Sequence, residues 1–125
     1  MLFGRKNQDA QGADTVQALA DIAVEAYRLA RVAQKATLRM APMDAERFAG
    51  QYNWFQRRVD AALASAGMQT VDLTGQPYSV GMAVTALNAD EFDEEELVVA
   101  QMVEPVIMKD GAVLRTGSVM LAPAR

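Results

Sequence analysis

The chain has 125 residues, 51% of them hydrophobic and 22% charged, with twelve basic against sixteen acidic side chains. That length holds one or two small structural units, and the composition is that of a folded protein. The net charge of −4 repels phosphate backbones, and the absence of Cys and His removes disulfides, thiol nucleophiles, soft-ligand metal sites and every His-based triad.

No apolar run approaches the ~20 residues of a membrane-spanning helix. Met1 to Asp9 carry no apolar core of a secretory signal. The expectation is a cytoplasmic protein, not an enzyme, that binds no nucleic acid, metal or cofactor and sits on no membrane. No acid–base constellation can be assembled from the residue types present.

Residues 1–14 are polar, contain Gly4 and Gly12 and lack periodicity, which predicts a flexible tail. Residues 15–66 hold one Pro and one Gly and read as a helical hairpin. Within them Val16, Leu19, Ala23, Ala26, Ala30, Ala33, Thr37 and Met40 recur alternately three and four residues apart, an a/d heptad register. Ile22, Leu29 and Ala36 widen that stripe to the breadth of a helix in a bundle. Asp14 is expected to cap this helix, and Ala41-Pro42 to end it.

A second helix is expected from Asp44, as its N-cap, to Ala66, with Gly67 past its end. Its apolar stripe is Phe48, Tyr52, Phe55, Val59, Ala62 or Leu63, and Ala66, with Trp54 on the flank of the bundle core. A single hairpin buries little apolar surface. A homodimeric bundle sealed by Val16, Leu19, Ala23, Ala26, Ala30, Ala33 and Met40 is the economical completion.

Residues 67–125 contain most of the Gly and three of the four Pro and read as strands and turns, a small antiparallel β-wing domain. Strands are expected at Met68–Leu73, Val80–Leu87, Val98–Met108 with a break at Pro105, and Val113–Ala122. Asp110-Gly111 fits the positive φ angles of a two-residue hairpin turn. The acidic run Asp90, Glu91, Asp93, Glu94, Glu95 and Glu96 lacks the ligand spacing of a calcium loop and reads as a solvated loop. Met68, Met82, Met102, Met108 and Met120 read as gap-fillers in a small core.

The stretch from Lys109 to Ala122 resembles the end of GrpE-type nucleotide exchange factors, where an Asn-Gly or Asp-Gly turn precedes an apolar-Arg pair and a Val-rich strand. Gly75-Gln76-Pro77-Tyr78 is similar to the family's Gly-x-Pro-aromatic segment. The layout resembles that family over residues 15–122, and the motifs over 75–122. Ser79, Val80 and Ala83 stand where the family usually has Asp-Pro and His, and Glu104-Pro105-Val106 where it has Lys-Gly-Tyr.

The resemblance implies an α+β homodimer that grips the nucleotide-binding domain of a DnaK-type chaperone ATPase and promotes ADP release. By position it implies partner contacts at Pro77, Tyr78, Asp110, Gly111, Arg115, Val119 and Leu121. The competing reading is a dimeric adaptor without exchange activity.

Overall fold

A computed structural model describes residues 2–93 and 96–124. Two helices, α1 (Leu2–Thr37) and α2 (Pro42–Ser65), are followed by six strands: β1 (Met68–Val71), β2 (Val84–Ala86), β3 (Leu97–Glu104), β4 (Val106–Lys109), β5 (Ala112–Arg115) and β6 (Gly117–Pro123). The α+β order agrees with the sequence reading. No helix among the described residues is long and apolar enough to cross a membrane.

Helix α1 differs from expectation at both ends. The backbone of residues 2–14, expected as a tail, is helical, so Asp14 lies inside the helix and not at its start. Elongation gains one hydrogen bond for each residue fixed and carries no nucleation cost, and no Pro interrupts this stretch. At the other end the helix stops at Thr37. The next three amides bond three residues back, Leu38 N–H to Lys35 O, Arg39 N–H to Ala36 O and Met40 N–H to Thr37 O, which tightens the chain into a turn.

Ala41 is extended (ψ 145°), as a residue before proline must be, and Pro42 opens α2 at its first position. Asp44 is therefore not the cap. It sits in the first turn, where its charge meets the positive end of the helix dipole. The far end of α2 matches expectation: Gly67 adopts φ +70° and donates to Ala64 O at 3.0 Å. α1 and α2 pack side by side as a hairpin.

The β region is two three-stranded sheets, one of them mixed. In the first, β4 lies between β1 and β5, antiparallel to both. Asp110 (φ 51°) and Gly111 (φ 84°) make the expected turn between β4 and β5. In the second, β6 lies between β3, antiparallel, and β2, parallel. The single strand expected over Val113–Ala122 is divided, β5 serving the first sheet and β6 the second.

Buried Pro105 divides β3 from β4 at the matching point, so the chain changes sheets twice side by side. Gly117 makes that crossing compact. A Cβ there would lie 2.7 Å from Glu104 O, closer than backbone and side chain can approach.

Two apolar clusters hold these layers. Ala20, Ala23 and Val24 of α1 meet Leu63 of α2, Met68 of β1 and Ile107 of β4. Val99, Met102, Val106, Val119 and Leu121 form the second cluster between the sheets, flanked by Tyr27, Tyr78 and Phe92. Met68 and Met102 are core residues, as their gap-filling reading requires. Of the alternatives Ala62 and Leu63, it is Leu63 that is buried.

Asn88 continues the second sheet where β2 ends. Its side chain donates to Leu121 O at 3.0 Å and accepts from Leu121 N–H at 2.8 Å, replacing a strand neighbour. Asn88→Ala leaves both groups unpaired in a dry site. Urea denaturation should show a loss of about 2–4 kcal/mol; a loss below 0.5 kcal/mol would mean that water supplies the bonds.

Candidate functional site

The residues carried over from the family resemblance do not gather on one surface. Pro77 and Tyr78 lie along the edge of β3 that faces away from β6, and their segment is bonded to it. Pro77 bridges Val98, Tyr78 N–H donates to Leu97 O at 2.8 Å, and Gly75 N–H donates to Val99 O at 2.8 Å. Pro77 is exposed and Tyr78 half-buried, beside a shallow depression of about 520 Å³.

Asp110 and Gly111 lie instead against the C-terminal end of α2. Asp110 N–H donates to Gly67 O at 2.9 Å, and the Lys109 ammonium donates to Ala66 O at 3.2 Å. Val119 and Leu121 are buried in the second cluster, which corrects their reading as contact positions. They alternate inward along β6, and the Val-rich pattern reflects packing.

Arg115 is occupied within the chain. Its guanidinium donates to Asp21 Oδ1 at 2.7 Å and to Gln17 Oε1 at 3.2 Å, joining β5 to α1. It ties the wing to the helix; it does not project into solvent alone.

The expected dimer seam has a similar fate. Ala23, Ala26 and Ala33 are buried within this single chain, Val16 and Leu19 pack on the first cluster, and Ala30 is half-buried. Met40 stands in the interhelical turn. Exposed apolar side chains of α1 form a second register on the outer face, Ala18, Ile22, Leu29 and Val32, continued by the half-buried Ala36. Ile22, Leu29 and Val32 are each about 60% exposed (63%, 59% and 63%). Glu25 occupies the one polar place in that register. Trp54 is also exposed, with the Arg58 guanidinium 5.7 Å from its ring centroid, and does not flank a core.

Of the acidic run, Asp90 and Glu91 belong to a short 3-10 turn at Ala89–Glu91, and Phe92 packs on the second cluster. Glu94 and Glu95 lie outside the described residues. Among the described residues no group of three or more acidic side chains is placed to hold a metal ion.

A polar cleft of about 260 Å³ lies between α1, α2 and β1. On one wall Tyr27 O–H donates to Asp72 Oδ2 at 2.7 Å, while Arg31 donates to the Tyr27 oxygen at 3.3 Å and lies 5.8 Å from its ring centroid. Burial and the Asp72 hydrogen bond push the Tyr27 phenol up to about 12. Burial alone would raise Asp72. Bonds from the Thr74 hydroxyl, the Thr74 N–H and Tyr27 outweigh it and hold that carboxyl below its ordinary 3.8.

On the opposite wall Gln56 Nε2 donates to Asp60 Oδ1 at 3.1 Å, and the buried Gln56 Oε1 has no partner. Sequence reasoning missed this cleft. Tyr27 and Arg31 share a helix face four residues apart, but Asp72 lies 45 positions beyond Tyr27 and no spacing links them. The chain matches no family model, no curated protein and no solved structure.

The raised Tyr27 pKa has a definite sign. The folded state favours the neutral phenol, so its contribution is complete below pH 10 and is lost as pH rises toward 12. Because Tyr27 is partly solvated, the loss amounts to about 1 kcal/mol. Tyr27→Phe should flatten the stability profile by that amount between those pH values, read from urea midpoints. Identical slopes for the two proteins would show that the phenol is not held neutral.

Proposed function

We propose that this chain is a protein-binding factor of the GrpE type, acting on the nucleotide-binding domain of a DnaK-type ATPase and promoting ADP release. The observation that carries the reading is the combination of a helical hairpin, docked at its base on a wing of two three-stranded sheets, with an uncovered apolar register on the outer face of α1. The motif resemblance over Gly75–Tyr78 and Lys109–Ala122 adds to it.

Two copies joined through Ile22, Leu29 and Val32 form the dimer in this reading. The inner alanine stripe is left to the fold. The β3 edge at Pro77 and Tyr78 is the gripping surface, since Arg115, Val119 and Leu121 are engaged within the chain. The factor requires no reactive side chain. It need only bind the opened ATPase more tightly than the closed one, and reciprocal coupling then lowers ADP affinity by the same factor.

A dimeric adaptor without exchange activity is the second reading. It is favoured by the internal engagement of three of the seven family contact positions. Stopped-flow release of a fluorescent ADP analogue from the DnaK-type ATPase of the source genome separates the two. The exchange reading expects acceleration of about tenfold or more, reduced several-fold by Pro77→Glu at unchanged helicity. Binding that leaves the release rate unaltered establishes the adaptor.

A further inference from the structure

The outer face of α1 repeats at Ala18, Ile22, Glu25, Leu29, Val32 and Ala36, alternate steps of four and three that make an a/d seam about 27 Å long. Near its middle the one charged place, Glu25, stands 3.7 Å from Arg28, and both side chains are largely in water. The two borders of the seam differ. Asp21, Arg28 and Lys35 recur every seven residues along one, and Leu19, Ala26 and Ala33 along the other. Among the described residues Lys35 has no ion-pair partner, and Asp21 has Arg115 alone.

These charges distinguish the two directions in which a second copy can lie. In a parallel, in-register pair Glu25 faces Glu25 of the second copy inside an otherwise apolar seam, and like carboxylates in one place repel. The borders then set Asp21 and Arg28 beside Ala26 and Ala33, which offer no countercharge.

Reversed about the level of Tyr27, the seam maps onto itself: Ala18 meets Ala36, Ile22 meets Val32, and Glu25 meets Leu29. Glu25 then lies within about 2 Å, measured along the axis, of Arg28 of the second copy, and Asp21 within about 3 Å of Lys35. The two Arg28 side chains approach each other at the two-fold axis. Each stands between two Glu25 carboxylates, its own and the other copy's, so the signs alternate. Symmetry forms every pair twice.

We propose, resting on the dimer reading, that two copies join α1 to α1 antiparallel, with Glu25 paired to Arg28 and Asp21 to Lys35 across the interface. The acid in the seam sets the direction: it excludes the parallel pair and is compensated only in the reversed one.

The chain has no cysteine, so introduced thiols report alone. The test oxidises full-length Ile22→Cys, Val32→Cys, and their equimolar mixture after subunit exchange, each followed on a non-reducing gel. Both positions are exposed. Neither variant should cross-link with itself, since equivalent positions stand about 15 Å apart along the axis, beyond the ~7 Å Cα separation that a disulfide spans. The mixture should give a disulfide-linked dimer. In sedimentation equilibrium Glu25→Arg should weaken dimerisation by about tenfold, and the exchange Glu25→Arg with Arg28→Glu should restore most of it at unchanged helicity.

Self-linking of each single variant keeps the dimer but overturns its direction. A wild type that dimerises while the mixture fails to link means that the copies meet through another face, which also overturns the proposal. A wild type that is monomeric at micromolar concentration removes the dimer reading itself. Unchanged affinity in Glu25→Arg shows that the seam acid does not set the direction.

Discussion

Ala20, Ala23 and Val24 of α1 close directly on Leu63, Met68 and Ile107, and this contact joins four separate stretches of chain at one dry point. The small side chains matter most. An alanine pair one turn apart lets the α1 backbone approach α2 and the first sheet closely enough for Leu63 and Ile107 to be fully covered. Removing that approach would weaken the joint between hairpin and wing, whose other ties are Tyr27, packed on the second cluster and bonded to Asp72, and the partly exposed polar contacts of Arg115 with Asp21 and Lys109 with Ala66.

The same constraint decides which surface of α1 is left for a partner. A helix packed through its alanine stripe on α2 and β4 can no longer offer that stripe to a second copy. Ile22, Leu29 and Val32, on the opposite side, retain large apolar areas in water. A long helix with apolar residues on two faces is explained when one face folds the chain and the other associates it. The proposed partner surface on the β3 edge lies on a different element from the proposed dimer face, so the two proposals do not call on the same residues.

Local signals in the sequence were readable where one residue dictates backbone shape. Pro42 separated the helices, Gly67 ended the second, Pro105 broke the strand, and Asp110-Gly111 turned the hairpin. Features that depend on distant partners were not readable. Two heptad registers coexist on α1, and only the position of Leu63 and Ile107 shows which one faces inward. The Val113–Ala122 run carries no breaker as strong as Pro, so its division at Thr116 appears only with the Gly117 approach to Glu104. The cleft joins Tyr27, Gln56 and Asp72 from three elements, and Arg115 reaches back 94 positions to Asp21. Neither has a spacing that a sequence could display.

The central proposal is that α1, which folds the chain with one face, joins two copies with the other. Sedimentation equilibrium of the wild type, Leu29→Glu and Ala23→Glu, each with far-ultraviolet circular dichroism, tests it most directly. The account predicts a wild type of twice the 13.6 kDa chain mass, a Leu29→Glu protein that is monomeric with full helicity, and an Ala23→Glu protein that loses its fold. A wild type that is monomeric at micromolar concentration, or a Leu29→Glu protein that remains dimeric, contradicts it.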